Sequence, residues 1–66
     1  MTRLESRMQE ALSGNEREVL EKYNAEIAAE RTHQARSRNA FVWQCCDQAI
    51  ERLTREKRQI EVATID

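Results

Sequence analysis

Three side chains in this sequence combine the chemistry of a nucleophile, a base and a metal ligand: His33, Cys45 and Cys46. A cysteine nucleophile needs a base within hydrogen-bond reach, a group that orients that base and an oxyanion site, and no spacing in the chain specifies them. Zinc sites are recognised by spaced pairs of cysteine and histidine. A single histidine with two adjacent thiols does not fit that pattern, so His33 reads as a solvated turn residue. Neighbouring cysteines on a helix point about 100° apart and cannot bridge, so both are expected as free thiols, as in a cytoplasmic protein. Glycine-rich phosphate loops, His-Glu-x-x-His and calcium loops are absent from the sequence, and carboxylates four residues apart, such as Glu26 and Glu30, are ordinary on a solvated helix face. The expectation is a protein that is not an enzyme, with no cofactor, no metal and no small-molecule substrate.

Charge offers a second kind of chemistry. The chain has 11 Lys+Arg and 12 Asp+Glu, a net charge of −1, which gives no global field to attract a polyanion. The distribution is uneven, however: residues 1–30 carry four basic and seven acidic side chains, whereas residues 31–66 carry seven and five. Arg31, Arg36 and Arg38 fall in a stretch without acids, and Arg52, Arg55 and Arg58 recur at three-residue steps. These six are candidates for contact with nucleic acid phosphates or with a partner. The competing expectation is a solvated turn followed by intrahelical pairs such as Glu51 with Arg55.

Phe41 and Trp43 carry the sharper signal. They flank the apolar stripe of the helix that contains them, beyond the reach of one partner helix, and Ile50 lies one heptad after Trp43. Exposed apolar surface of this kind marks an interface, so Phe41, Trp43 and Ile50 are the candidate interface residues. A first helix folded over Trp43 is the alternative.

The elements that position these residues follow from composition. With no Pro, one Gly and abundant Ala, Glu, Arg and Leu, helix is the default throughout. Thr2 and Glu5 have capping-box spacing, which starts a helix at residue 3. Its stripe is Leu4, Met8, Ala11 and Leu12. Gly14 is the natural stop and Asn15, with Glu18, a fresh cap, with a kink and collinear continuation as the competing reading of Ser13-Gly14-Asn15. Val19, Leu20, Tyr23, Ile27 and Ala28 form the second stripe. Beyond it, Glu30, Arg31, Gln34 and Arg38 would occupy the same azimuth, so a turn is expected between residues 32 and 39, centred near 36. Ser37 or Asn39 caps the third helix, with Val42, Cys45, Cys46, Ala49, Ile50, Leu53 and Ile60 as its stripe. The expected helices are 3–13, 16–33 and 39–61, with residues 62–66 fraying.

Sixteen bulky apolar residues are few for a core in a chain of 66, and small scaffolds often add a partner subunit. The fold class is therefore all-α: a short N-terminal helix and an antiparallel helical hairpin in a single domain, dimerising into a helical bundle. In size and architecture this resembles the small helical-hairpin dimers that plasmids encode as RNA-binding regulators; the resemblance extends to no motif. No segment is long and apolar enough to span a membrane, and residues 1–5 do not resemble a signal peptide. The expected function is that of a small non-catalytic regulator or adaptor that binds another protein, of the kind carried among phage and plasmid accessory genes. Nucleic-acid binding is the alternative.

Overall fold

The computed structural model describes residues 2–65, and among these every regular element is helical, in two long runs. The first run opens with α1 (Arg3–Glu10), where Thr2 Oγ1 accepts the Glu5 amide at 3.2 Å. That hydroxyl satisfies one of the amides a helix start leaves without an intrahelical partner.

Between the first two helices the chain kinks over Ala11–Asn15, and Gly14, the stop marked in the sequence, is the residue that leaves helical geometry. This short turn joins α1 to α2 (Glu16–Arg36) with no longer loop between them. Within that turn Gly14 takes φ 105°, ψ 1°. Side chains disfavour this left-handed region by about 1–2 kcal/mol, which explains glycine here. Asn15, the residue before α2, makes no side-chain capping bond.

Gly14 bends the run sharply. A straight helix from residue 3 to 36 would measure about 50 Å at 1.5 Å per residue, more than the 42 Å greatest extent of the molecule. Arg7 also bonds Glu26, which would lie about 28 Å away along a straight helix. The bend therefore returns α1 along the side of α2, and α1 covers the Tyr23 and Glu26 region rather than Trp43.

The second run is α3 (Ala40–Ala63), capped by Asn39, whose Oδ1 accepts the Phe41 amide at 2.9 Å. Of the two expected caps it is Asn39 that serves, while Ser37 Oγ accepts the Asn39 amide at 3.2 Å. The connection is thus only residues 37–39. It centres on Arg38 and not on residue 36, which slides the facing positions of α2 and α3 by about one helical turn. Side-chain contacts across the seam lie about a further helical turn along α3: Glu16 meets Thr64 at 2.8 Å, and Gln34 meets Asp47 at 2.7 Å. Thr64 was expected to fray; its hydroxyl instead faces Glu16 and the Ile60 carbonyl. Asp66, in the same expectation, lies outside the described residues.

Ala11, Val19, Tyr23, Ile27, Leu53 and Ile60 make the buried core, with Leu4, Met8, Leu20 and Ile50 packed against it. Leu12 and Cys45, both placed on apolar stripes by the sequence, are exposed. At the turn Ala11 is buried and Leu12 is not, and of the two cysteines only Cys46 is buried, with Leu53 and Ile60, on α3.

Helix α2 continues past residue 33 because the polar residues on its inner azimuth find polar partners. Gln34 Nε2 donates to the Trp43 carbonyl at 3.0 Å and to Asp47 Oδ1 at 2.7 Å, and Glu30 lies beside Cys46. A seam that is apolar from Val19 to Ile27 becomes polar toward the turn, and the helix does not have to end where its apolar residues do.

Candidate functional site

The polar part of the seam gathers the chemistry that the sequence leaves scattered. Glu30 and His33, three residues apart on α2, lie on one helix face. Cys46 comes from α3. The carboxylate, imidazole and thiol ligand atoms all lie within 4.8 Å of one another, with Cys46 Sγ 3.9 Å from His33 Nδ1. Cys46 is 3% exposed, Glu30 is half-buried and His33 is exposed, so the cluster runs from the core to solvent. Burial pushes the Cys46 thiol up, and the neighbouring Glu30 carboxylate adds to the effect by disfavouring a second negative charge.

Neither His33 nor Glu30 is the isolated residue that sequence spacing suggested. The cluster is made by pairing two helices, so no linear motif contains it. The available signal was Glu30 and Gln34 on the azimuth of an apolar stripe, which requires either the end of the helix or polar partners across the seam. Cys45, next to Cys46 in sequence, is exposed, because one residue turns the side chain about 100° around α3.

Glu26 also departs from the solvated carboxylate expected. Both of its oxygens accept from Arg7, at 2.9 and 2.7 Å, and Arg3 pairs with it as well. The Arg7 bond holds the Glu26 carboxyl below the usual glutamate range against the opposing effect of burial, and it raises Arg7. The Arg7 guanidinium lies 4.4 Å over the Tyr23 ring. Tyr23 itself is fully buried, and its hydroxyl has no hydrogen-bond partner among the described residues. Three cation-bearing contacts, Arg3 and Arg7 with Glu26 and Lys22 with Glu10, thus fasten α1 onto α2.

The candidate interface residues separate in space. Phe41 is 72% exposed and Trp43 47% exposed, but two residues apart on a helix they point about 200° apart. Trp43 donates its indole N–H to the Ser37 carbonyl at 3.0 Å, which ties the ring to the turn. Ile50 is half-buried against the core. Trp43, Ile50, Thr54 and Lys57 follow one another at seven-, four- and three-residue steps and so share one flank of α3. Thr54 and Lys57 form the α3 wall of a groove of about 520 Å³, with Asn24, Ile27, Ala28 and Arg31 opposite on α2. No residue of α1 lines this groove.

The six arginines do not make one surface either. Arg31 lines the groove, and Arg36 and Arg38 stand exposed at the turn. Arg55 is paired with Glu51 at 2.6 Å, as the intrahelical reading expected. Arg52 borders shallow clefts beside Arg3, Glu26 and Glu56, and Arg58 is exposed. Three-residue steps rotate by about 60°, so Arg52, Arg55 and Arg58 fan around α3. Among the described residues no helix is long and apolar enough to cross a membrane.

Comparison with protein-family models, with curated proteins and with solved structures finds no match for this chain.

Proposed function

We propose that this chain is a small non-catalytic adaptor or regulator, a helical hairpin that pairs with a second copy and binds another protein. The observation that carries this reading is the groove between α2 and α3 on the side that α1 leaves open, continued toward the turn by Ile50 and the half-exposed Trp43. An open groove lined by Ile27 and Ala28 among polar side chains, with an aromatic edge, fits a helix of a second copy, and two hairpins so paired form a four-helix bundle. Trp is among the residue types whose truncation at an interface costs most, about 2 kcal/mol or more where it is an anchor. Phe41, on the opposite flank with Arg36 and Arg38 nearby at the turn, is left to a different protein.

Sedimentation equilibrium at micromolar concentration tests the pairing: a dimer is expected, with Trp43→Ala shifting it to the single-subunit mass while far-ultraviolet circular dichroism stays helical. A wild-type protein at the single-subunit mass across that range refutes the pairing.

A second reading, a nucleic-acid-binding regulator of hairpin-dimer form, draws on Arg31, Arg36 and Arg38, which make no ion pair among the described residues. Phosphate contacts make binding fall steeply with salt. Retention of the chain on immobilised duplex or single-stranded RNA or DNA at low salt, lost on raising the salt and on Arg36→Ala with Arg38→Ala, would select this reading over protein binding.

A further inference from the structure

We infer that Glu30, His33 and Cys46 form a binding site for a thiophilic divalent cation, with zinc the best chemical match. The inference is independent of the dimer and of any partner, because all three ligands come from one chain.

The donor set argues for the class of metal. A thiolate and an imidazole select zinc and its soft or borderline neighbours over magnesium and calcium, which prefer oxygen ligands alone. A carboxylate completes a neutralising set, since Glu and Cys together supply two negative charges. Geometry is close to what coordination needs. Zinc binds sulfur at about 2.3 Å and nitrogen at about 2.0–2.1 Å, which on a tetrahedral centre separates the two atoms by about 3.6 Å. Cys46 Sγ and His33 Nδ1 are 3.9 Å apart, and all three donors lie within 4.8 Å. Closing those gaps requires side-chain rotation of less than about 1 Å at the ligand atoms.

The protein around the cluster favours that closure. Glu30 and His33 stand one helical turn apart on the same rigid helix. Cys46 is fixed by burial in the seam. Next to it Gln34 holds Asp47 and the Trp43 carbonyl, which fixes the separation of α2 and α3 at the level of the site. His33 is exposed, so the cation has a route in from solvent, and a fourth coordination position on that side is open to water. Binding exchanges the thiol proton for the cation, leaving Cys46 as thiolate. The metal then links α2 to α3 in the stretch of the seam that Glu30, His33 and Gln34 make polar.

Cobalt(II) reports thiolate ligation directly. Titration of the reduced full-length chain with Co²⁺ is expected to give a thiolate-to-cobalt charge-transfer band in the near ultraviolet, saturating at one ion per chain and displaced by Zn²⁺. Cys45→Ser is expected to keep the band. Cys46→Ser is expected to lose it, and His33→Gln to weaken Co²⁺ binding by about tenfold or more, since loss of a ligand costs at least what loss of a ligand's supporting group does. His33 is exposed, so His33→Gln leaves the helical circular dichroism unchanged and remains informative if Cys46→Ser proves unstable. Absence of the band in the wild-type chain, its loss in Cys45→Ser, or undiminished affinity in His33→Gln overturns the site.

Discussion

Replacing Glu26 by Gln should destabilise the chain near neutral pH and cease to matter in acid. In the folded protein the Glu26 carboxylate accepts two bonds from Arg7 and one contact from Arg3. The Arg7 side chain is 15% exposed and that of Glu26 is 35% exposed, so the pair is neither fully solvated nor in the core. Exposed pairs contribute about 0–1 kcal/mol, and hydrogen bonds to charged groups about 1.5–3 kcal/mol. A bidentate pair at intermediate exposure therefore falls near 1–2 kcal/mol. Gln retains one acceptor but removes the charge and offers its amide to Arg7 as a second donor, so most of that contribution is lost. For a domain of this size about 1 kcal/mol corresponds to about 4–8 °C in Tm.

The sign of the pH dependence follows from linkage. Glu26 titrates lower in the folded state than in the unfolded chain. Its stabilisation is therefore complete above the ordinary glutamate value of about 4.3 and declines as pH falls through the lower folded value. Urea unfolding of wild type and Glu26→Gln at neutral pH and at successively lower pH is the measurement. The two curves should differ at pH 7 and converge in acid. Equal midpoints at pH 7, or a difference that persists once the carboxylate is protonated, would refute the reasoning that the charged pair fastens α1 to α2.

Gly14→Ala should destabilise by about 1–2 kcal/mol through the positive φ alone, because a Cβ there meets nothing within 4 Å; a thermal melt equal to wild type would mean that the turn relaxes to a right-handed conformation. Tyr23→Phe removes a buried hydroxyl that has no partner among the described residues and should leave stability unchanged or raise it by about 1 kcal/mol, so a clear loss in urea unfolding would reveal a bond to that hydroxyl. Leu53→Ala, at 3% exposure, should cost about 2–5 kcal/mol, whereas Arg58→Ala should stay within about 0.5 kcal/mol; similar midpoints for the two would misplace the core.

The sequence by itself determined the all-helical class, the Thr2 cap and most of the core. These are local or periodic properties: the absence of Pro, the propensity of Ala, Glu, Arg and Leu, and the recurrence of Val19, Tyr23, Ile27, Leu53 and Ile60 at helical spacing. It also marked Gly14 as special, since only glycine occupies φ 105° without strain. Where α1 goes from the break at that glycine depends on what it meets across the turn, and it meets Glu26 and Tyr23. Tertiary structure decided the rest. The length of α2 rested on Gln34 and Glu30 having polar partners on α3, which a one-dimensional stripe cannot reveal. The cluster of Glu30, His33 and Cys46 has the same origin, because side chains 13 and 16 residues apart meet only when two helices pair in one register. A connection centred two residues later than expected moves that register by about one turn, and with it the identity of every side chain facing Cys46.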